Sequence, residues 1–133
     1  MAEHEDHASQ ESGTLVVLDG LPVVSHDQRP TLTKFLLRKL GDAAPTDSRK
    51  VYMPVDAQGS TVGSAVVRYL DNARAEDIIN CLNGTHLDRS HLLSVERVET
   101  SERYRQMQNA IPGFEGHLRS LFPVEMEGQL FEG

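Results

Sequence analysis

The stretch Val62-Gly63-Ser64-Ala65-Val66-Val67-Arg68-Tyr69 decides the fold that this sequence predicts. β-branched and aromatic residues favour strands, and successive side chains of a strand point to opposite faces of its sheet. One face of this strand therefore carries Ala65, Val67 and Tyr69, which we expect to lie beneath helices. The opposite face carries Val62, Ser64, Val66 and Arg68, which we expect to point outward.

Strand and helix patterns alternate on both sides of this stretch. Runs of β-branched and aliphatic residues predict strands, and apolar residues spaced three or four apart predict helices. The predicted order is a strand at 14–18, a helix at 31–40, strands at 51–53 and 61–70, a second helix capped by Asp71 or Asn72 and ended by Asn83-Gly84, and a strand at 92–98. This β-α-β-β-α-β order predicts an α+β fold, the ferredoxin-like sandwich, in which two helices cover one face of a four-stranded antiparallel sheet.

Charge and pattern divide the chain into three parts. Of the net charge of −7, residues 1–13 carry −4, residues 14–99 carry −1 and residues 100–133 carry −2. Residues 1–13 lack aliphatic periodicity, so we expect a disordered acidic tail. Residues 14–99 hold the predicted sandwich. For residues 100–133 the sequence predicts a short helix at 101–110, a break at 111–113, and a linker with a small apolar patch (Leu118, Leu121 and Phe122) that leads toward a further domain.

Composition argues against several classes of protein. The sequence has no apolar run of about 18 residues, the length that a transmembrane helix needs. Its single cysteine, Cys81, cannot form an internal disulfide and fits a reducing compartment, so we expect a cytoplasmic protein. A nearly neutral core between acidic tails suits phosphate poorly, because nucleic-acid binding depends on clustered cations. His4 and His7 lack further ligands nearby, so we expect neither a metal nor another cofactor.

Three segments together resemble the RNA recognition motif: the octamer at 62–69, the hexamer Val16-Val17-Leu18-Asp19-Gly20-Leu21 and the helix end Leu82-Asn83-Gly84. In that motif the third and fifth residues of the octamer are rings on which bases stack, each worth about 1–3 kcal/mol. Here those positions hold Ser64 and Val66. The resemblance implies the fold, but with weak or no direct RNA binding. The degenerate RNA face would consist of Val17, Ser64, Val66 and Arg68.

A narrower resemblance rests on four more segments. They are Leu18-Asp19-Gly20-Leu21-Pro22-Val23-Val24, Pro54-Val55-Asp56, Gly84-x-x-Leu87-Asp88-x-x-His91 and Glu102-Arg103-Tyr104. Together they are similar to the N-terminal domain of the B subunit family of eukaryotic translation initiation factor 3. This resemblance implies a non-catalytic docking module that scaffolds assembly of the factor on the small ribosomal subunit. It also implies the A and J subunits of the factor as partners, the latter offering an acidic peptide with an aromatic anchor to the helix side of the domain.

The residues suggest where such a peptide would bind. The candidate partner-binding residues are Lys34, Arg38, Lys39, Leu87, Arg89 and His91. The first three share the first predicted helix, and the others lie in the loop after the second. A basic strip beside apolar atoms suits an acidic peptide with a hydrophobic anchor. Two ordinary roles fit as well: the cations as the solvated face of an amphipathic helix, and His91 as a loop histidine held by backbone groups.

Three other classes of function compete with protein docking: an enzyme, an RNA-binding domain and a small-ligand domain. No Ser/His/Asp order, nucleophile elbow or phosphate-binding loop is present in the sequence, so we do not expect an enzyme. The main alternative is a single-stranded RNA-binding domain that uses loops and outward arginines, with Arg68 and Arg49-Lys50 as its cations. A regulatory small-ligand domain of the same topology would instead pair through its sheet edges and form a dimer.

Overall fold

An antiparallel sheet lies at the centre of the computed structural model, which describes residues 13–45 and 50–122. Its strands are β1 (Thr14–Asp19), β2 (Ser64–Tyr69) and β3 (Ser94–Arg97), in the spatial order β2-β1-β3. The register places Val17 opposite Val66. The predicted α+β class and antiparallel sheet are confirmed. β2 is shorter than the predicted 61–70, because Gly63 takes a positive φ of 85° and turns the chain just before the strand.

The fourth strand, predicted at 51–53, is reduced to one residue pair in the described part of the chain. Tyr52 forms an isolated antiparallel bridge with Val66 along the outer side of β2. The Tyr52 N–H donates to the Val66 carbonyl at 2.9 Å, and the Val66 N–H donates to the Tyr52 carbonyl at 2.8 Å. The next pair of this ladder would need an N–H from Pro54, which has none. Tyr52 therefore occupies the fourth position of the sheet without a regular ladder.

Two helices cover one face of the sheet, α1 (Arg29–Leu40) and α2 (Asn72–Leu82). Between them and the sheet lies the main core, an aliphatic cluster with one tyrosine. The sheet residues in it confirm the predicted inward alternation, and α1 and α2 add side chains at helical spacing. Its members include Val16, Leu18, Leu32, Leu36, Leu40, Ala65, Val67, Tyr69, Ala75, Ile78, Leu93 and Val95.

The ends of α1 and α2 follow from their sequence. Pro30 lies in the first turn of α1, where its missing N–H costs nothing, and α1 ends at Gly41, whose φ is 56°. The Asp71 carboxylate caps α2 by accepting the backbone N–H groups of Ala73 at 2.9 Å and Arg74 at 3.3 Å. The predicted helices are thus confirmed, with α1 beginning two residues earlier than expected.

Two further helices, α3 (Glu102–Ala110) and α4 (Phe114–Leu121), lie in the part of the chain where the sequence predicts a short helix and a linker. The Ser101 hydroxyl caps α3 by accepting the Tyr104 N–H at 3.0 Å. The predicted break is real, but the helical structure resumes after it, because Gly113 takes a φ of 75° and redirects the chain into α4. We call α3 and α4 the helical pair.

No helix in the described ranges has both the length and the apolar character that crossing a membrane requires. Some sequence predictions concern residues outside those ranges. These are the acidic tail up to Ser12, His4 and His7, the Arg49 of the alternative RNA site, and the segment 123–133.

Candidate functional site

The sheet face opposite the main core is buried beneath the helical pair. Val66 and Ser64 are 0% exposed and Val17 is 2% exposed. Their side chains point away from the main core, as the alternation predicts, but toward α3 and α4 instead of solvent. We call this surface the covered face. The helical pair packs on it through Met107, Phe114, Leu118 and Phe122.

Aromatic rings lie together on the covered face. Phe114 of α4 lies between two tyrosines, with its ring centroid 5.3 Å from that of Tyr52 and 5.4 Å from that of Tyr104. Tilted and edge-on pairs of this kind contribute about 0.5–1.5 kcal/mol each beyond their buried area. Tyr52 therefore packs against a ring from its own chain.

A polar contact holds α3 against the sheet. Arg103 donates from Nε to the Ser64 hydroxyl at 2.9 Å and from a guanidinium nitrogen to the Val62 carbonyl at 2.7 Å. The Ser64 hydroxyl donates in turn to the Asp19 carboxylate at 2.6 Å, which lies 3.7 Å from Arg103 Nε. Hydrogen bonds to charged groups contribute about 1.5–3 kcal/mol. Ser64, which stands where the motif has a ring, thus connects β1, β2 and α3. We call this set the Arg103 contact.

Arg68, a candidate for outward RNA contacts, is half-buried at the end of the covered face. Its guanidinium carbon lies 5.6 Å from the ring centroid of Phe122. A guanidinium over an aromatic face is attracted by the ring quadrupole, by about 0.5–1 kcal/mol at exposed sites. The side chain therefore contributes to packing at the end of α4.

Burial changes the chemistry of the tyrosines on both faces. It raises the pKa of Tyr69, in the main core, to about 12. On the covered face, burial together with the nearby Glu115 carboxylate raises the pKa of Tyr104 to about 12. Burial also raises the pKa of Tyr52. These phenols stay protonated at neutral pH, so the covered face carries no tyrosinate charge.

On the helix side, α1 presents the three predicted cations to solvent. Lys34, Arg38 and Lys39 are all exposed. The Lys39 ammonium lies 5.8 Å from the ring centroid of Phe35, which is half-buried against the main core. Lys34 and Arg38 are one turn apart and so project from the same side of α1. This arrangement fits either a solvated helix face or a basic docking strip.

The loop after α2 places its three candidate residues differently. Leu87 is 1% exposed and belongs to the main core, so it supports the loop from beneath and offers little surface. Arg89 is exposed. His91 contacts the Asp88 carboxylate through Nδ1 at 2.8 Å, and this hydrogen bond lowers the pKa of Asp88. His91 is therefore held by a side-chain carboxylate, where the sequence alternative assigned it to backbone groups.

The loop also packs closely against the end of β1. A Cβ on Gly20 would lie 2.1 Å from the Leu92 carbonyl oxygen, so only glycine fits there. Within the described residues, no hydrogen bond or ion pair joins the α1 cations to Arg89 or His91. No group of three metal-ligating side chains occurs in the same ranges. The six candidate residues thus divide into an exposed α1 strip, a loop pair of exposed Arg89 and half-buried His91, and the buried Leu87.

The helical pair supplies contacts that the sequence interpretation missed. Glu102-Arg103-Tyr104 carries part of the family resemblance, but no pattern within it predicts a contact with the sheet. A local signal was present, because Phe114, Leu118 and Phe122 recur at four-residue spacing and are all buried. That spacing is typical of an amphipathic helix with one apolar face.

Comparison with known proteins identifies relatives by sequence. No family model matches the chain. The B subunit of eukaryotic translation initiation factor 3 from Aspergillus terreus is 38% identical over 103 residues, which is 77% of this chain and 14% of that protein. The same protein from Aspergillus clavatus is 39% identical over 103 residues, with the same shares of each chain.

Among solved structures, a crystal structure of human G-rich RNA sequence binding factor 1 superposes with a TM-score of 0.53 at 11% identity. The superposition covers 74% of this chain and 92% of that one. Together with the strand order and the two helices on one face of the sheet, this shows the fold of the RNA recognition motif. By sequence the chain is similar to the B subunit of eukaryotic translation initiation factor 3, and it spans 14% of the length of the two curated relatives.

Proposed function

We propose that this domain is a non-catalytic protein-docking module that scaffolds assembly of initiation factor 3 on the small ribosomal subunit, in the cytoplasm. The observation that supports this most is the covered face. Bases stack on exposed rings of an RNA recognition motif sheet, whereas Val66 and Ser64 are 0% exposed beneath the helical pair. A domain whose sheet is already occupied has its helices and loops left for binding.

The proposed contact surface is the helix side, with Lys34, Arg38 and Lys39 on α1 and Arg89 and His91 in the loop after α2. All but His91 are exposed, and His91 is half-buried beside Asp88. On a chain with a net charge of −7, three neighbouring cations are a local exception. Complementary charge favours an acidic partner segment and speeds its association. By family resemblance we assign this role to the A and J subunits of the factor.

The first experiment measures binding of an acidic peptide with one tryptophan. The chain has no tryptophan, so the fluorescence of the peptide reports binding alone. We expect the double variant Lys34→Glu with Arg38→Glu to weaken binding roughly tenfold at low salt, because both cations become repulsive. The matched control is Arg105→Glu with Arg119→Glu, which makes the same charge change on exposed positions of the helical pair.

Two results would count against the proposal. Equal affinities for the wild type and the α1 double variant would remove the helix side as the contact surface. Alternatively, micromolar binding of a single-stranded RNA with a steep salt dependence would favour RNA contacts from loops, since phosphate binding releases counterions. In that case Arg68 and Lys50, the cations of the RNA alternative that lie in the described residues, would be the first to test.

A further inference from the structure

A second surface with docking geometry runs along the open edge of the sheet. Beside Tyr52 lies a groove of about 1040 Å³, whose floor is the segment 51–57. One wall comes from α1, including Thr33 and Leu37, and the other from the helical pair and the turn that joins it, including Leu121 of α4 and Ile111 of the turn. The walls thus lie on opposite faces of the sheet, with the sheet edge between them. We call this feature the edge groove.

Backbone groups of the floor point into the edge groove. Because Tyr52 directs both its N–H and its carbonyl toward Val66, strand geometry directs those of Val51 and Met53 away from β2. The side chains agree with an extended segment, since Met53 packs in the main core and Tyr52 on the covered face. The Met53 carbonyl accepts from Arg29 at 2.8 Å. Within the described residues, nothing accepts the N–H groups of Val51 and Met53.

The charges around the edge groove are mostly positive. The charged side chains that line it are two cations, Arg29 and Lys34, and one carboxylate, that of Asp56. Asp56 is turned to its own loop, where it accepts the N–H groups of Gln58 at 2.9 Å and Ser60 at 3.0 Å. On a chain of net charge −7, this is an environment that favours an acidic occupant.

We propose that the edge groove binds an extended acidic segment of a partner protein, which adds as a strand along Val51 and Met53 and places apolar side chains between α1 and the helical pair. Strand addition provides affinity through main-chain hydrogen bonds and specificity through pockets for alternate side chains. The Val51 N–H supplies the first, since Met53 is 2% exposed and its carbonyl is held by Arg29, and the apolar walls supply the second. This surface shares Lys34 with the helix side but does not include Arg38, Arg89 or His91, and it exists because the helical pair provides one wall.

The test uses the full chain and the probe acetyl-Glu-Val-Glu-Val-Glu-Val-Glu-amide. Two N-methylated versions accompany it, each blocking the N–H groups along one edge of the peptide strand. A peptide that pairs through one edge loses roughly fivefold or more in affinity when that edge is blocked, and keeps its affinity when the other edge is blocked. We also expect slower hydrogen exchange at Val51 when the unmodified probe is bound.

Variants of the protein separate this groove from the helix side. Ala57 is exposed and lines the edge groove. We expect Ala57→Glu and Lys34→Glu each to weaken probe binding roughly fivefold by repulsion. Arg38→Glu is the matched control, because Arg38 lies on α1 outside the groove, and we expect it to leave the probe unaffected while it weakens the tryptophan peptide. These variants therefore allow the edge-groove proposal to be disproved while the helix-side proposal stands, and the reverse.

Three results would overturn the proposal. Equal binding of both N-methylated probes would exclude pairing through one edge. Unchanged affinity in Ala57→Glu, with its melting temperature preserved, would place the probe elsewhere. A dimer by light scattering that Ala57→Glu dissociates would show that a second copy of this chain, and not an acidic segment, occupies the edge.

Discussion

The two faces of the sheet are both buried, yet they are buried in different ways. Leu18 and Val17 are neighbours in β1, with Leu18 in the main core and Val17 on the covered face. The main core is mostly aliphatic. At its edge, the Tyr69 hydroxyl donates to the Ala43 carbonyl at 2.6 Å. The covered face depends on the rings around Phe114 and on the Arg103 contact. One face follows from the fold, and the other from two helices added after it.

This difference bears on where the folded unit ends. A chain cut after residue 99 would keep the main core but would expose Val17, Tyr52 and Val66 together. Full burial of a valine side chain is worth about 1.5–3 kcal/mol, so these residues give the helical pair a substantial reason to stay docked. We therefore treat the helical pair as part of the working domain, since it covers the sheet face and builds one wall of the edge groove.

The largest expected effect compares one buried side chain from each face. Leu36 is 0% exposed in the main core, and Phe114 is 1% exposed beneath the covered face. Leu36→Ala should cost about 2–5 kcal/mol and Phe114→Ala about 3–5 kcal/mol, because each leaves a cavity. Hydrogen exchange then separates the faces. We expect Leu36→Ala to speed exchange in every element, and Phe114→Ala to speed it mainly in α3 and α4.

If Phe114→Ala changed the exchange rates equally in every element, the expected difference between the two faces would be wrong. Such a result would mean that the helical pair and the sandwich unfold as one cooperative unit. Leu118→Ala provides the check, since Leu118 is 4% exposed in the same cluster and a smaller side chain is removed. Its pattern of exchange should match that of Phe114→Ala with a smaller amplitude.

The next effect concerns the Arg103 contact. Arg103→Ala removes the donors to the Ser64 hydroxyl and the Val62 carbonyl, and we expect a loss of about 2 kcal/mol in urea unfolding. Arg105→Ala is the control on the same helix, because Arg105 makes an exposed pair with Glu102 at 3.0 Å. Pairs of that kind contribute about 0–1 kcal/mol. Similar losses in both variants would show that Arg103 contributes as a general helix surface residue.

The features that the sequence predicted correctly are those that depend on local pattern. Alternation placed Ala65, Val67 and Tyr69 toward the helices, and cap chemistry narrowed the start of α2 to Asp71 or Asn72, of which Asp71 is the cap, because these features depend on neighbouring residues. The octamer also showed correctly that Ser64 and Val66 offer no stacking rings.

Local sequence pattern could not predict where the helical pair docks, for a physical reason. Leu118, Leu121 and Phe122 were recognised as an apolar patch, but where an amphipathic helix docks depends on which distant surface is still open. The outward side of β2 was expected to be exposed, because alternation gives direction and not what lies in that direction. Likewise, His91 belonged to the loop by sequence, while its carboxylate partner Asp88 is set by loop geometry.

The smallest expected effect is a pH dependence that both faces share. A tyrosine in the unfolded chain loses its proton near its ordinary pKa of about 10, whereas Tyr69 and Tyr104 have folded pKa values of about 12. Between these values the unfolded chain binds fewer protons than the folded chain, so stability falls as pH rises. The contribution is fully present below a pH of about 10 and is lost as the pH rises to about 12. Urea unfolding across that range, compared for the wild type, Tyr69→Phe and Tyr104→Phe, should show a shallower loss in each variant.

Absorbance of tyrosinate makes the same experiment specific to the covered face. With the helical pair docked, Tyr104 should titrate well above its ordinary value, because its ring centroid lies 5.4 Å from that of Phe114 and its hydroxyl lies beside Glu115. Phe114→Ala should return the Tyr104 titration toward its ordinary value while Tyr69 stays shifted. If Tyr104 already titrates normally in the wild type, the helical pair is released from the sheet at that pH, and the covered face would then be a reversible surface with Val66 open to solvent in alkali.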